Sequence, residues 1–127
     1  MPSISMSDDA KKHLDALAEW FTISKRSQVG ENAEKCVDDE RHAKLEPFLR
    51  KMGLYKKGYR HVLWRLSGRT TISKDSGFDN IFFPLSDEID ISGDHLHPGQ
   101  YMRFSSSQTF EAALDLLIVM IPETDNL

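Results

Sequence analysis

Apolar residues recur every three or four positions near the start of the chain, which predicts an amphipathic helix. Ser7 is suited to cap this helix, because a serine oxygen can accept a hydrogen bond from a free N–H group of the first turn. Asp8 and Asp9 follow and place negative charge where the helix dipole favours it. The apolar stripe of the helix consists of Ala10, Leu14, Leu17, Ala18 and Phe21.

Two further helices are predicted before residue 54. One runs from about residue 31 to 44 and has a thin apolar face around Cys36. The other is short and spans residues 47–53. Pro47 suits its first turn, where the missing N–H has no helical partner to lose, and Gly53 suits its end.

The period of the pattern changes from helical to alternating at residues 59–66, which predicts a strand. One face of this strand carries Val62, Trp64 and Leu66, and the other carries Tyr59, His61, Leu63 and Arg65. Later apolar segments predict strands at residues 81–83, 100–105 and 117–121, and a helix at 108–116. The long polar segments at 67–80 and 86–99 predict loops, the second of which includes a brief strand at 89–91.

These elements predict an α+β fold in which N-terminal helices are followed by a small mixed or antiparallel sheet with one further helix. The 127 residues fit a single domain, with a helical part at 1–53 and a sheet-rich part at 54–127. No apolar run is long enough to span a membrane. The single cysteine, Cys36, excludes an internal disulfide, and a cytoplasmic location is therefore expected.

The charge of the chain is distributed unevenly. The total is 16 Lys and Arg against 20 Asp and Glu, for a net charge of −4. Residues 47–74 carry eight basic side chains and no acidic one, whereas residues 75–127 carry ten acidic side chains and a single basic one, Arg103. The basic segment either attracts an anionic partner or folds against the acidic segment and is neutralised there.

Four residues of the basic segment are candidates for binding an acidic surface on a partner protein, and they are Lys51, Lys56, Lys57 and Arg60. Tyr55, Tyr59 and Trp64 lie between the basic residues, and this mixture is also typical of surfaces that bind single-stranded nucleic acid. The overall acidic charge makes a nucleic-acid partner the less favoured alternative.

Arg65 and three serines are candidates for anion binding. Arg65 lies in a largely apolar strand, so its guanidinium requires a phosphate, a carboxylate or carbonyl oxygens as partners. An aspartate of the acidic segment would satisfy it equally well. Ser105, Ser106 and Ser107 lie between a predicted strand and a predicted helix, where they can cap the helix or bind ligand hydroxyls and phosphates.

Two histidines are spaced so that they would share a face of a strand. Two imidazoles on one face can begin a metal site, and His95 and His97 have this spacing. No third ligand with a familiar spacing is evident in the sequence, so we expect no metal. Cys36 has no histidine near it in sequence and is interpreted as a small core residue.

Two segments resemble mono-ADP-ribosyltransferases of the Arg-Ser-Glu class, in particular the phage enzymes that modify host proteins. The segment Val62-Leu-Trp-Arg65-Leu resembles the family's first strand, and the segment from Leu96 through Gly99 and Phe104 to Ser107 resembles its second element. The resemblance implies that Arg65 binds the phosphate of NAD. It also implies that Ser105, with Ser106 and Ser107, forms the nicotinamide pocket. The family's catalytic glutamate has no counterpart here, so the catalytic residues are unassigned.

The sequence therefore predicts an ADP-ribosyltransferase-like domain that binds NAD, in an incomplete or inactive form. The alternative is a small non-enzymatic inhibitor or interaction protein, of the type encoded by phages and plasmids, that binds an acidic partner through residues 50–74. A third hypothesis is an accessory protein that binds nucleic acid.

Overall fold

The computed structural model describes residues 3–91 and 93–126. Strands make up 41% of these described residues and helices 21%. In this part of the chain the helices are α1 (Asp8–Phe21) and α2 (Arg41–Met52). The strands are β1 (Ile4–Ser5), β2 (Arg26–Gly30), β3 (Ala33–Cys36), β4 (Arg60–Leu66), β5 (Thr70–Ile72), β6 (Phe78–Pro84), β7 (Ile89–Ile91), β8 (Asp94–Leu96), β9 (Gln100–Phe104), β10 (Gln108–Phe110) and β11 (Leu114–Pro122).

Seven of these strands form one antiparallel sheet in the order β1-β9-β6-β11-β4-β3-β2. Two small antiparallel sheets, β10-β5 and β7-β8, complete the β-structure of the described residues. The predicted α+β class, with N-terminal helices, a small sheet and one further helix, is therefore wrong. The main reason is that β2 and β3, from the segment predicted as loop and helix, belong to the large sheet.

The prediction of an amphipathic helix capped by Ser7 is confirmed by α1. The side chain of Ser7 accepts a hydrogen bond from the Ala10 N–H at 3.2 Å, and Asp8 and Asp9 occupy the first turn. The apolar stripe packs inward as expected, with Phe21 fully buried. Burial of this stripe against the sheet stabilises a helix that would be marginal alone.

The second predicted helix, at residues 31–44, is wrong. Strand β3 occupies its first half, and Ala33 and Cys36 at the ends of this strand are buried. Helix α2 begins only at Arg41 and continues through Pro47, so the prediction of a separate helix that starts at Pro47 is also wrong. The predicted end of that helix is confirmed, because Gly53 adopts the left-handed conformation (φ 72°) that terminates helices.

The predicted helix at residues 108–116 is wrong as well. Residues 108–110 form β10, in which Gln108 and Phe110 are buried and Thr109 is exposed. This is the alternation of a strand and not a helical stripe. Strand β11 then starts at Leu114 and contains the predicted buried strand 117–121. It is apolar along most of its length because it lies between β4 and β6 and is covered on both faces.

The large sheet separates two hydrophobic cores. On one face, Leu63, Phe83 and Leu117 pack with the helices, and on the other face Phe82 and Ile118 pack under the small sheets. The face assignment predicted for residues 59–66 is confirmed, because Leu63 lies in the helical core whereas Val62, Trp64 and Leu66 pack in the other. Neither helix of the described residues is long and apolar enough to cross a bilayer.

Candidate metal centre

The hairpin formed by β7 and β8 buries one face of its strands and exposes the other. Ile89, Ile91 and Leu96 are 4%, 1% and 0% exposed and belong to the core under the small sheets. The polar residues between and beside them face solvent to a larger extent. Because successive side chains of a strand point to opposite faces, burial of Ile89, Ile91 and Leu96 places Asp90 and His95 on the solvent face.

The register of this hairpin pairs acidic residues with histidines. Asp90 lies opposite His95, and Ile89 lies opposite Leu96. Glu88 comes directly before Ile89, and His97 comes directly after Leu96. If the register continues by one residue, Glu88 and His97 are also opposite each other. The same-face prediction for His95 and His97 is thereby confirmed, with their ring centroids 4.7 Å apart.

One carboxylate contacts both imidazoles. His95 Nε2 lies 2.9 Å from Oε2 of Glu88, and His97 Nδ1 lies 2.7 Å from its Oε1. The other ring nitrogen of His95, Nδ1, lies 2.7 Å from Oδ1 of Asp90. His97 is anchored at its backbone, because its N–H donates to the Gln100 side chain at 3.0 Å. The cluster of Glu88, Asp90, His95 and His97, called here the hairpin cluster, is therefore positioned by the hairpin and by the turn that follows it.

These contacts shift the titration of the groups involved. Asp90 first, and then Glu88, raises the pKa of His95, because each carboxylate favours the protonated imidazole. His95 first, and then His97, lowers the pKa of Glu88. Without a metal ion, His95 is therefore readily protonated and held between two carboxylates.

The same donor atoms fit a metal ion. One ligand atom each from Glu88, His95 and His97 lies within 4.8 Å of the others, and no second group of this kind occurs in residues 3–91 and 93–126. Ligands about 2.0–2.2 Å from a tetrahedral zinc ion lie about 3.3–3.6 Å apart. A metal ion bound by these three atoms would replace the hydrogen bonds that join Glu88 to the two imidazoles.

The residues predicted to bind NAD lie outside the hairpin cluster and are also separated from one another. Arg65 forms a two-pronged ion pair with Asp115, with Nε to Oδ1 at 2.8 Å and Nη2 to Oδ2 at 3.0 Å. This is the aspartate alternative considered from the sequence. Asp115 raises the pKa of the Arg65 guanidinium through these hydrogen bonds, and Asp115 is only 7% exposed.

Ser105, Ser106 and Ser107 lie between β9 and β10 and not at the start of a helix. Ser106 accepts a hydrogen bond from the Gln108 side chain at 3.1 Å. Two strands, β6 and β11, separate β9 from the strand of Arg65. If both residues bound one NAD molecule, as the resemblance implies, we would expect them to face one cleft across adjacent strands, and the structure contradicts this expectation. The NAD-binding role of these residues stays a prediction, but the structure does not bring Arg65 and the three serines together at one site.

The four candidate partner-binding residues are exposed at the end of α2, in the loop before β4 and at the start of β4. Lys51 pairs with Asp9 at 3.6 Å, and Arg60 pairs with Asp75 at 3.5 Å. Lys56 and Lys57 form no ion pair with any described residue, and the Lys56 ammonium lies over the Tyr59 ring. The acidic segment therefore neutralises the basic segment only in part.

The alternation of polar and apolar residues is the sequence signal that could have located the hairpin cluster. Residues 88–91 alternate, as do residues 95–97, and Gly93 between them suits a tight turn (φ 83°). Pairing these two short segments as a hairpin places Glu88 opposite His97. Interpreting residues 86–99 as a loop instead separates the histidines from the acid that completes the site.

No protein-family model matches the sequence, and no curated protein matches it either. Solved structures do match the fold. KdgF from Halomonas sp. aligns at a TM-score of 0.50 with 11% identity, over 82% of this chain and 93% of that one. A chain of the complex between Rhodobacter sphaeroides SigE and the anti-sigma ChrR aligns at 0.51 with 10% identity, over 93% and 61%. An RmlC-like cupin from Shewanella frigidimarina aligns at 0.46 with 9% identity, over 81% and 86%.

These structures have the cupin fold, a jelly-roll arrangement of antiparallel strands. At such low identity the likeness concerns the fold alone. The resemblance to ADP-ribosyltransferases is therefore wrong, as is the function drawn from it. The associated descriptions of the chain as an NAD-dependent transferase and as a phage protein are likewise without support.

Proposed function

We propose that this protein binds one divalent transition-metal ion, with zinc the best fit, through His95, His97 and Glu88. The observation that carries the proposal is the convergence of the three donor atoms within 4.8 Å on one face of a hairpin. Two imidazoles and a carboxylate are ligands that zinc prefers. The proposal revises the sequence-based expectation that the chain binds no metal.

Asp90 is suited to orient one of the ligands. A metal-binding histidine usually donates its second ring N–H to a carboxylate, which fixes the tautomer and the ring. Asp90 Oδ1 lies 2.7 Å from Nδ1 of His95, so it would hold a proton there and leave Nε2 for the metal. Asp90 is a positioning residue in this arrangement.

The exposure of the cluster determines what the site can do. The side chains of His95, His97 and Glu88 are 48%, 46% and 57% exposed. Three protein ligands leave a coordination position for water or a small anion, as in sites where zinc polarises a ligand. A solvent-facing site also admits bulky ligands and exchanges its metal readily. We infer that the metal acts at the surface of the protein, on a ligand that approaches from outside.

Zinc competition against a chromophoric chelator tests this proposal on the full chain without an affinity tag. The wild-type protein should take up one equivalent. His97→Ala should lower the affinity about 100-fold, because it removes one of only three protein ligands. The matched control is His13→Ala, which removes an exposed histidine of α1 and should leave zinc binding unchanged. Equal affinity of the wild type and His97→Ala would contradict the proposal.

The loop between α2 and β4, which is part of the basic segment, supports a second candidate function, the binding of an acidic segment of a partner protein. Lys56 and Lys57 have no ion-pair partner in the described residues, and they line a cavity of about 330 Å³ together with Tyr55. The Arg50 guanidinium lies 4.4 Å from the centre of the Tyr55 ring, which is 48% exposed. Cations beside an exposed aromatic ring suit carboxylate-rich peptides.

Anisotropy of a labelled glutamate-rich peptide tests this second function. The wild type should bind in a manner that weakens with salt, and Lys56→Glu/Lys57→Glu should abolish binding. Lys12→Glu, which reverses an exposed charge on α1, is the control. Binding that survives the double substitution would contradict this role. Binding of a single-stranded oligonucleotide alone would favour the nucleic-acid alternative.

A further inference from the structure

Strand β2 lies at one edge of the large sheet. In the order of the described strands it pairs only with β3, so its second edge is open to solvent. Residues 27–30 of this strand are all exposed. An open edge presents N–H and C=O groups that can pair with a further strand. The opposite edge of the sheet is formed by β1, a strand of two residues, and is much shorter.

The pairing with β3 determines which backbone groups of β2 are open. The Val37 N–H donates to the Lys25 carbonyl at 2.9 Å. Hydrogen-bonded and non-hydrogen-bonded positions alternate along an antiparallel pair, so Ser27 also directs its N–H and C=O groups towards β3. Arg26 and Gln28 occupy the alternate positions, and their backbone groups point outwards. Strand β2 therefore offers two donors and two acceptors at the spacing that a neighbouring strand requires.

The open part of β2 lacks the usual protection of an edge strand. Edge strands are commonly protected by proline, by a charged side chain or by a bulge. The only charged residue of β2 is Arg26, and its guanidinium turns back to its own chain, where Nη1 donates to the Phe21 carbonyl at 2.9 Å. The bulge lies between Gln28 and Gly30, beyond the open groups. Residues 26–28 are therefore free to pair.

The surroundings of β2 favour a partner with the same sequence. Among the described residues, three of the five exposed large hydrophobic side chains lie in β2 or beside the ends of β2 and β3, and they are Ile23, Val29 and Val37. Lys25 and Glu31 flank β2 with opposite charges, and neither forms an ion pair within the described part of the chain. A second copy in antiparallel orientation brings each lysine towards the glutamate of the other copy and covers apolar surface.

We propose that two copies of this protein associate through β2, so that their large sheets join into one. A twofold axis at Ser27 places Arg26 of each copy opposite Gln28 of the other, and their open groups form four N–H···O=C hydrogen bonds. The two Ser27 side chains meet at the axis and are small enough to fit there. Lys25 then lies diagonal to Glu31 of the second copy, within reach of a long side chain. The interface shares no residue with the hairpin cluster and is independent of the metal-binding proposal.

Sedimentation velocity of the full chain, with a chelator present to exclude association through a metal, tests this inference. The sedimentation coefficient should rise between about 1 µM and about 1 mM, since a small interface gives a weak dimer. Gln28→Pro should abolish the rise, because proline lacks the outward N–H and its ring obstructs the edge. This N–H does not pair with β3, so the fold should be retained, which circular dichroism checks.

The matched control is Gln28→Ala. Both variants lose the hydrogen bonds from the Gln28 side chain to the carbonyls of Gly30 and Glu31, which are 3.0 and 3.3 Å long. Only Gln28→Ala retains the backbone N–H, so it should form dimers as the wild type does. A difference between the two variants therefore reports the backbone pairing and not the lost side chain.

A charge exchange tests the register without altering the backbone. Lys25→Glu and Glu31→Lys should each weaken the dimer about fivefold, because each places like charges near each other at both ends of the interface. The double variant should restore the wild-type affinity. Amide hydrogen exchange of the wild type should slow at Arg26 and Gln28 as protein concentration rises. Exchange at Ser27, whose N–H already pairs with β3, should change little.

Three results would overturn the inference. The first is a wild-type protein that stays monomeric over the whole concentration range, which would leave this edge to a strand of another protein. The second is a dimer that persists in folded Gln28→Pro. The third is a double charge variant that is no stronger than the single variants, together with amide exchange at Gln28 that does not depend on concentration.

Discussion

Two cation–carboxylate clusters of this protein use similar chemistry in opposite surroundings. The Arg65–Asp115 pair lies on the helical face of the large sheet, where the side chains are 30% and 10% exposed. The hairpin cluster lies on the solvent face of a two-stranded sheet, with its side chains about half exposed or more. Both contain a carboxylate contacted by two nitrogen atoms.

The clusters differ in whether their nitrogen atoms can lose a proton and then bind a metal ion. Arg65 keeps its charge at any relevant pH, and its two hydrogen bonds with Asp115 are fixed within the packed structure. The hairpin cluster instead contains imidazoles, and a neutral imidazole nitrogen is a common metal ligand. From this comparison we expect the Arg65–Asp115 pair to stabilise the fold, whereas the proposed role of the hairpin cluster is to bind a metal.

The largest effect is expected from breaking the half-buried pair. Asp115→Asn leaves the Arg65 guanidinium without its counter-charge and should lower the free energy of unfolding by about 2–3 kcal/mol. Urea denaturation measures this. Asp75→Asn, which breaks an exposed pair with Arg60, is the control and should cost less than about 1 kcal/mol. Similar losses in both variants would contradict the distinction between a buried and an exposed pair.

A smaller effect is expected from the residue that orients His95. Asp90→Asn should weaken zinc binding about tenfold, because the ring loses the carboxylate that holds its Nδ1 proton. Asp87→Asn, an exposed neighbour outside the cluster, serves as the matched control. The measurement is the zinc dissociation constant of each variant at one pH. Loss of the same size in Asp87→Asn would mean that general negative charge, and not orientation, is responsible.

Zinc binding should also depend on pH through His95. Its pKa is raised above the ordinary value of 6.5, and the metal must displace the Nε2 proton. Zinc affinity should therefore keep rising with pH beyond 6.5. Asp90→Asn lowers the pKa of His95 and should move this rise to lower pH. Histidine titration by nuclear magnetic resonance, compared with zinc affinity at each pH, checks both statements.

The smallest effect is on the stability of the metal-free protein. Glu88 has a lowered pKa, so its contribution is present above the unfolded value of 4.5 and is lost as pH falls through the folded pKa. His95 has a raised pKa, so its contribution is complete below 6.5 and is lost as pH rises through the folded pKa. Both are present between pH 4.5 and 6.5. Glu88→Gln should lower the melting temperature slightly in that window and less at pH about 9, with a chelator present.

Parts of this fold were predictable because local physics decides them. Ser7 and the apolar stripe of α1 define a helix whatever lies beside it, and the alternation at residues 59–66 defines the faces of β4. The segment at 108–116 was not predictable in the same way. Leu114 and Leu116 lie in a central strand covered on both faces, and such a strand has no alternation to distinguish it from a buried helix.

The candidate site was half predictable from the sequence. The spacing of His95 and His97 placed both imidazoles on one face, and the structure confirms this. Glu88 was missed because it is nine residues from His97, and only the register of the hairpin brings them together. Arg65 stands out in the sequence because a charged residue in an apolar strand requires a partner, but the sequence did not show that Asp115 is that partner.

Anomalous diffraction at the zinc edge, from crystals grown with one equivalent of zinc, would locate the metal directly. A metal centre at the hairpin cluster predicts one peak about 2.0–2.2 Å from His95 Nε2, His97 Nδ1 and a carboxylate oxygen of Glu88. It also predicts that Asp90 keeps its contact with His95 Nδ1. A zinc peak elsewhere, with the imidazoles still hydrogen-bonded to Glu88, would contradict the assignment of this cluster as a metal centre.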